Sequence, residues 1–302
     1  MDEISFITFA IGRRWLAPLL IKVKEWGTAV LKFNANLTQL YTELDFLDRF
    51  AAAAADGFKG VEYRAAYHVQ KEVLAELLQK NGLQQILFNL PLGNWDAGER
   101  GIACLPGRED EFRQGLEVAV DYAKTLGCRQ VNCLAGLKPA GIPDREIEDV
   151  LCANLRYAAG RFARDDIKLL LEILNRRDNP GCVISSTTKF EEIAGRVGSD
   201  NLYLQFDFYH LQVMEGDLAR NFERLQSRIA HVQVADNPGR HEPGTGEINF
   251  DFLFRELERL GYEGWIGCEY VPKGRTSDGL GWARPWMPKP ERDDEKAGRG
   301  LI

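Results

Sequence analysis

Eight short apolar runs recur along the chain, and patterns typical of helices fill the gaps between them. Apolar runs of this length are typical of strands that are buried on both faces. Strands that alternate with helices pair in parallel, because each helix carries the chain back to the edge where the previous strand began. The sequence therefore predicts an α/β protein, a single-domain (β/α)8 TIM barrel over residues 31–286. The predicted strands cover residues 31–37, 60–64, 84–90, 129–135, 167–174, 202–208, 230–235 and 264–271.

Several helical patterns end where a glycine or an asparagine follows, as at Gly57, Asn81 and Gly127. These residue types end helices because they tolerate the left-handed backbone conformation. A doubly wound open sheet is the alternative fold. It would need a glycine-rich phosphate loop after an early strand, and the sequence contains no G-x-G-x-x-G motif. The predicted helices cover residues 45–55, 69–80, 109–126, 144–161, 187–197, 218–227 and 250–260.

Polar side chains interrupt the last four apolar runs near their carboxyl ends. They are Glu172, Asp207, Gln233 and Glu269. An unpaired buried charge is very costly, so buried carboxylates indicate a cation between them. The strands of a barrel end at one face, where the active sites of this fold lie, and we expect the four side chains to converge there. Such an oxygen-only set suits Mg²⁺ or Mn²⁺ better than Zn²⁺. The alternative is that arginine or backbone groups satisfy each residue separately.

Further polar residues follow the strand ends. Asn89 begins a long loop after the third strand, and this loop, which ends near Arg108, could fold over the barrel mouth as a lid. His210 closely follows the sixth strand. Arg240 lies in the loop after the seventh strand, where a guanidinium could bind a carboxylate through two hydrogen bonds. We therefore name His210, Arg240, Asn89 and Arg108 as candidate substrate-binding residues.

The composition limits the partners of the chain. A formal net charge of -7 and a pI of about 5.3 argue against a nucleic-acid partner, which would favour a basic face. The six cysteines form no C-x-x-C pair, which favours reduced thiols in a cytoplasmic protein. No stretch approaches the ~18 apolar residues that span a bilayer, so no membrane partner is expected. A homo-oligomer is left open.

The two ends of the chain depart from the regular pattern. Residues 1–30 begin acidic and have interrupted apolar stretches, which makes a poor secretory signal. They form an N-terminal extension, interpreted either as a short amphipathic helix or as an artefact of start-site assignment, since Val30 could be encoded by an alternative start codon. Residues 287–302 are predicted to be a charged, disordered tail.

Together these features resemble the hydroxypyruvate isomerase family, within the wider group of xylose isomerase-like barrels. The resemblance runs from about Leu31 to Trp286. It is strongest in residues 33–37, 105–109, 205–210, 239–249 and 264–270. The family's metal-binding pattern of Glu, Asp, Gln and Glu matches Glu172, Asp207, Gln233 and Glu269. The resemblance also implies that Glu172 and Glu269 are the acid/base pair. Ketose 3-epimerases, which are related, typically have a histidine where this chain has Gln233.

The activity that the resemblance implies is an isomerisation of a small 2-oxo or hydroxy acid. Hydroxypyruvate and 2-hydroxy-3-oxopropanoate (tartronate semialdehyde) would interconvert through an enediolate, with a divalent metal as Lewis acid. A 2-oxo-tetronate-type isomerase and a ketose 3-epimerase use the same chemistry and remain alternatives. A polyol dehydratase or a non-catalytic sugar-acid binder fits the motifs less well. A nuclease on such a barrel would need a His-rich multi-zinc site, and the chain has four histidines.

Overall fold

The computed structural model describes residues 31–287, which form eight parallel strands closed into a barrel in chain order. The predicted fold is confirmed, and each strand lies within a few residues of its predicted position. The predictions for residues 1–30 and for the tail beyond residue 287 lie outside the described part. The strands are β1 (Lys32–Asn36), β2 (Gly60–Tyr63), β3 (Gln84–Asn89), β4 (Gln130–Cys133), β5 (Lys168–Glu172), β6 (Leu202–Asp207), β7 (Ile229–Val234) and β8 (Trp265–Cys268).

Helices connect the strands as predicted, with one addition directly after β6. There the side chain of Asp207 accepts backbone N–H groups of the following turn, so a helix begins where the strand ends. That helix has seven residues, too few to show a helical period in the sequence. The helices are α1 (Arg49–Ala55), α2 (Lys71–Asn81), α3 (Glu109–Leu126), α4 (Asp144–Ala163), α5 (Thr187–Val197), α6 (Phe208–Met214), α7 (Leu218–Leu225) and α8 (Phe250–Arg259). A 3-10 helix (Thr276–Ala283) follows β8.

The parallel register brings the polar strand ends side by side. Glu172 lies opposite Gln205 in the β5–β6 pair, and Asp207 lies opposite Gln233 in the β6–β7 pair. Glu269 directly follows β8, and its N–H donates to a carbonyl of β7 at 3.1 Å. The carboxyl ends of β5 to β8 therefore meet at one mouth of the barrel.

The hydrophobic core lies between the strands and the helices. Outward-facing strand residues such as Leu169, Leu171 and Phe206 are completely buried. Phe206 packs edge-on against Phe222 of α7, with ring centres 5.5 Å apart. Burial of each such side chain stabilises the fold by about 1.5–3 kcal/mol. This layer fixes the strands and leaves the inside of the barrel free for other residue types.

The inside of the barrel is polar, although barrels of this kind are usually filled by branched apolar side chains. Its buried polar residues include Asn34, Asn36, Glu62, Gln85, Asn132, Gln205, His231 and Gln233. Glu62 is the centre of this network. Its carboxylate is held by hydrogen bonds from Asn34 (2.7 Å), Asn36 (2.9 Å), His231 (2.6 Å) and Gln233 (2.7 Å). Gly267 leaves room for it, since a Cβ there would lie 2.5 Å from the carboxylate oxygens.

All six cysteines are buried free thiols, as the sequence predicts. Burial raises the pKa of both Cys104 and Cys128 to about 12, so these two thiols are unreactive at neutral pH. Within residues 31–287, no helix has the length and apolar character needed to cross a membrane.

Candidate active site

Two buried carboxylates, Glu172 and Asp207, meet the partly buried carboxylate of Glu269, an imidazole and a guanidinium at the barrel mouth. His210 Nε2 lies 3.7 Å from Glu172 Oε1 and 3.6 Å from Asp207 Oδ2. Arg240 Nη2 donates to Glu269 Oε2 at 3.2 Å and lies 3.8 Å from Asp207 Oδ2. The structure thus places three of the four predicted metal ligands beside two of the predicted substrate-binding residues.

Asp207 has one oxygen that is bonded and one that is not. Its Oδ1 caps α6 by accepting the backbone N–H of Tyr209 at 2.7 Å and of His210 at 3.4 Å. Its Oδ2 is buried and has no hydrogen-bond partner within residues 31–287. A buried carboxylate oxygen without a partner is costly. Since Oδ2 also lies near Glu172, the geometry leaves a position that a cation would fill.

Glu172, Asp207 and His210 could hold a metal ion, because one ligand atom of each lies within 4.8 Å of the others. The imidazole has a restricted role, however. The backbone N–H of Asn175 donates to His210 Nδ1 at 3.2 Å, so the neutral ring carries its proton on Nε2, which faces the carboxylates. In this tautomer His210 is a hydrogen-bond donor. The remaining ligands are carboxylate oxygens, which hard cations such as Mg²⁺ prefer.

Gln233 lies slightly apart from this cluster. Its Nε2 donates to Glu62 Oε1 at 2.7 Å, and its Oε1 accepts from Gln205 Nε2 at 2.6 Å. It nevertheless lines the same small cavity as Glu172 and Glu269. An amide oxygen has two lone pairs, so one remains for a further contact. The two hydrogen bonds also fix which end of the amide is the oxygen.

Burial and mutual repulsion shift the protonation of the site. Burial, followed by the charges of Glu269 and Asp207, holds the pKa of Glu172 well above its ordinary value. Burial raises the pKa of Glu269 to about 7, although Arg240 opposes the shift. Burial, followed by Arg240, lowers the pKa of His210 well below its ordinary value. Near neutral pH the site therefore combines a neutral imidazole with carboxyl groups that can take up or release a proton.

The other two predicted substrate-binding residues differ in position. Asn89 ends β3 and lines the cavity, and its Oδ1 accepts from Asn132 Nδ2 at 3.3 Å. Arg108 does not line the cavity. It forms ion pairs with Glu99 in the loop after β3 and, at 2.7 Å, with Glu111 of α3. Its contacts therefore join that loop to the helix.

Sequence reasoning missed several residues that reach the site from the first half of the barrel. Asn132 of β4 donates to Glu172 Oε2 at 2.9 Å. Arg64 directly follows β2 and Arg100 lies in the loop after β3, and both line a cavity at the mouth together with Trp95 of the same loop. The position of Arg64 at a strand end was the available signal. A charged residue at that position is equally typical of an exposed loop.

Comparisons with known proteins agree with this fold. The family model described as "Xylose isomerase-like TIM barrel" matches residues 50–286. The protein named hydroxypyruvate isomerase from Escherichia coli (strain K12) is 48% identical over 257 residues, which cover 85% of this chain and 100% of that protein. The protein named 2-oxo-tetronate isomerase from Pectobacterium atrosepticum is 45% identical over 258 residues, which cover 85% of this chain and 98% of that one.

Solved structures give the same result. A crystal structure described as AP endonuclease, family 2, from Brucella melitensis is similar, with a TM-score of 0.83 and 42% sequence identity. The match covers 85% of this chain and 100% of that chain. The family resemblance predicted from the motifs is confirmed by these matches.

Proposed function

The chain belongs to the xylose isomerase-like TIM-barrel family, and from this premise we propose that it interconverts hydroxypyruvate and 2-hydroxy-3-oxopropanoate. Relatives named hydroxypyruvate isomerase and 2-oxo-tetronate isomerase support an isomerase. One observation carries the proposal. Glu172 and Glu269 line one small cavity, and burial raises the pKa of both carboxyls. Two such groups on one cavity suit the movement of a proton between adjacent carbons.

The reaction is balanced without an outside oxidant. One glutamate removes a proton from C3 of hydroxypyruvate, and the electron pair is delocalised into an enediolate. The same or the other glutamate returns a proton to C2, and the hydroxyl proton on O3 passes to O2. The product has an aldehyde at C3 and a hydroxyl group at C2. In the metal-free protein burial raises the pKa of Glu269 to about 7, and a carboxyl with that pKa both accepts and releases protons near neutral pH.

The neighbouring residues hold the pair in place. The Nε2–H of His210 is available as a donor to a substrate oxygen, since Nδ1 is already bonded to Asn175. Asn132 orients the Glu172 carboxylate, and Arg240 orients Glu269. Fixed donors of this kind lower the barrier because they need no reorganisation during the reaction.

A divalent metal fits the site on two grounds. Asp207 Oδ2 is buried without a hydrogen-bond partner within residues 31–287, and Glu172 offers a further carboxylate oxygen close to Asp207. The ligands we propose are Glu172, Asp207, Gln233 and Glu269. When bound there, Mg²⁺ or Mn²⁺ would supply Lewis-acid stabilisation of negative charge on the substrate oxygens.

A coupled assay tests the proposal. The protein is stripped with a chelator, Mg²⁺ or Mn²⁺ is added back, and hydroxypyruvate turnover is followed by enzymatic reduction of the product. We expect metal-dependent turnover that is lost in both Glu172→Gln and Glu269→Gln. Glu76→Gln is the matched control, because Glu76 is exposed on α2. Near-normal turnover in either active-site variant would contradict the assigned roles.

The four-carbon substrate 2-oxo-tetronate is the second candidate, because the relative that carries its name is 45% identical, almost as similar as the hydroxypyruvate isomerase. Both substrates are acids and would use the same glutamate pair. The ratio of kcat/KM for the two substrates in the same assay decides between them. A higher kcat/KM for 2-oxo-tetronate would leave the proposed site unchanged and identify 2-oxo-tetronate as the preferred substrate.

A nuclease, the activity named in the description of the Brucella structure, is less well supported. Within residues 31–287 a single group of three His, Cys, Asp or Glu side chains is arranged to hold a metal ion. The whole chain carries a net charge of -7, which repels a nucleic-acid backbone.

A further inference from the structure

Trp95 is in contact with two arginine side chains at the mouth of the cavity. The guanidinium carbon of Arg64 lies 4.0 Å from the centre of the Trp95 ring, and that of Arg100 lies 3.7 Å from it. Both guanidinium groups therefore stack on this ring. Attraction to the ring offsets the repulsion between the two charges. Arg100 is fixed further by hydrogen bonds to the carbonyls of Trp95 and Glu99.

Arg64 is the cation of this stack that faces the catalytic groups. It lines the small cavity with Glu172 and Glu269. Within residues 31–287, its guanidinium forms no ion pair and donates no hydrogen bond. Burial lowers the pKa of Arg64; the charge of Glu269 opposes this shift, and the like charges of Arg240 and Arg100 add to it. A partly buried guanidinium without an acceptor is costly, and an anionic ligand would relieve that cost.

The position of Arg64 in the barrel indicates which part of a ligand it would contact. In a barrel of eight strands closed in chain order, β2 lies across the axis from β6. Arg64 after β2 and Asp207 at the end of β6 therefore lie on opposite sides of the mouth, where Arg64 lines a cavity together with His210 and Arg240. A small ligand whose carbonyl and hydroxyl oxygens face Asp207 extends its other end towards Arg64.

Arg240, which the sequence predicts as the carboxylate-binding residue, is already engaged. It donates to Glu269 at 3.2 Å and lies 3.8 Å from Asp207. A substrate carboxylate at Arg240 would add a third negative group beside these two. Arg64 also lies within the electrostatic influence of Glu269 and Glu172, but within residues 31–287 its guanidinium forms no ion pair with either carboxylate, so it is the better placed of the two guanidinium groups.

We propose that Arg64, stacked on Trp95 and supported by Arg100, binds the carboxylate of the substrate. The inference rests on the proposed function, because that function makes the substrate a 2-oxo acid. A guanidinium can present two parallel N–H donors to a carboxylate. A ketose has a neutral hydroxyl-bearing carbon at the corresponding end and forms no ion pair there. Arg64 would therefore select 2-oxo acids over ketoses.

The loop that carries Trp95 and Arg100 is held in place by its own contacts. Arg108 pairs with Glu99 in the loop and with Glu111 of α3. Gly101 packs so closely against a backbone carbonyl at Leu134 that no Cβ would fit. These contacts hold the stack before a ligand arrives, and preorganisation lowers the cost of binding.

The test compares Arg64→Met with a control, Arg113→Met. Arg113 also lies over an aromatic ring, at 5.2 Å from the centre of Tyr157, but on the exposed side of α3. Calorimetry on Mn²⁺-loaded protein gives the Kd of D-glycerate. This acid has no ketone or aldehyde group and therefore cannot be isomerised. The coupled assay gives KM and kcat for hydroxypyruvate, and a titration gives the Kd of Mn²⁺.

In Arg64→Met we expect the Kd of D-glycerate and the KM of hydroxypyruvate to rise at least about tenfold, as for loss of a charged hydrogen bond. The Kd of Mn²⁺ should stay unchanged, and Arg64→Lys should recover part of the affinity. Arg113→Met should match the original protein in every measurement.

The failure of this inference can be told apart from that of the proposed function. An unchanged Kd of D-glycerate in Arg64→Met overturns the inference, and so does a parallel loss of Mn²⁺ affinity, which would indicate a general disturbance of the site. Absence of D-glycerate binding to the original protein also overturns it. If D-glycerate binding depends on Arg64 while hydroxypyruvate is not turned over, the inference stands and the proposed substrate is wrong.

Discussion

Replacing Glu62 by glutamine should destabilise the protein strongly, although the two side chains have nearly the same shape. Each carboxylate oxygen of Glu62 accepts two hydrogen bonds, Oε1 from Asn36 and Gln233 and Oε2 from Asn34 and His231. In Glu62→Gln one oxygen becomes an NH₂ group that faces two donors. Each buried donor left without a partner costs about 1–3 kcal/mol, so the expected loss is about 2–6 kcal/mol.

Urea unfolding of chelator-treated protein measures this loss directly. Glu76→Gln is the control, because the same chemical change on an exposed helical site should stay within about 0.5 kcal/mol of the original protein. Glu62→Leu adds a second comparison, since it leaves all four donors unpaired and should be the less stable variant. A loss below about 1 kcal/mol in Glu62→Gln would refute the reasoning, because the network would then rearrange at little cost.

The same variant tests Gln233 as a metal ligand. Glu62 accepts from Gln233 Nε2, which keeps the amide oxygen of Gln233 on the other side, where Gln205 donates to it. If this oxygen binds the metal, Glu62→Gln should raise the Kd of Mn²⁺ measured by titration of the folded protein. If stability falls while the Kd of Mn²⁺ does not change, Gln233 does not bind the metal.

Three further predictions follow from the site. His210→Gln should reduce kcat while the Kd of Mn²⁺ stays nearly unchanged, because Nε2 carries a proton and therefore does not bind the metal. A Kd of Mn²⁺ raised tenfold or more would instead show that the imidazole is a metal ligand. Gly267→Ala should lower the free energy of unfolding by about 1–3 kcal/mol in urea titrations, because its Cβ would meet the Glu62 carboxylate; an unchanged midpoint would contradict the tight fit. The pKa of Glu269 is raised from 4.5 to about 7, so the folded protein binds more protons than the unfolded chain between these values, and the stability of metal-free protein should fall as pH rises from 5 towards 7. In Glu269→Gln the free energy of unfolding should depend less steeply on pH between 5 and 7. An equally steep dependence would mean that other groups cause it.

The sequence was sufficient for the fold because the relevant signal is local and repeated. A run such as residues 167–174, followed by a helix that ends before a glycine, specifies a strand and its connection without knowledge of the partners. Helix α6 was missed because its cause is a single side chain: Asp207 caps the helix from within the preceding strand. A cap of this kind leaves no periodic pattern in seven residues.

The carboxylates of the site were visible in the sequence because charges are rare inside apolar strands. The residues that complete the site were not. Asn132 reaches Glu172 through the direct pairing of β4 with β5, and Arg64 after β2 reaches it only across the closed barrel. The tautomer of His210 was equally hidden, because it depends on a backbone N–H at Asn175, in a loop 35 residues earlier in the chain.

The two halves of the barrel contribute different sets of groups to the mouth. Strands β5 to β8 supply the carboxylates, together with His210 of α6 and Arg240 of the loop after β7, whereas β2 to β4 and the loop after β3 supply donors, namely Arg64, Asn132 and Arg100. Glu62 on β2 is the exception, but four donors satisfy it below the mouth, so it presents no free charge to a ligand. A substrate with electron-rich oxygens at one end and a carboxylate at the other matches this division only if a cation neutralises the carboxylate side. The same charge distribution therefore supports the proposed metal and the proposed acid substrate together. Measuring D-glycerate binding with and without Mn²⁺ tests that link, because the acid should bind more weakly when the carboxylates are not neutralised.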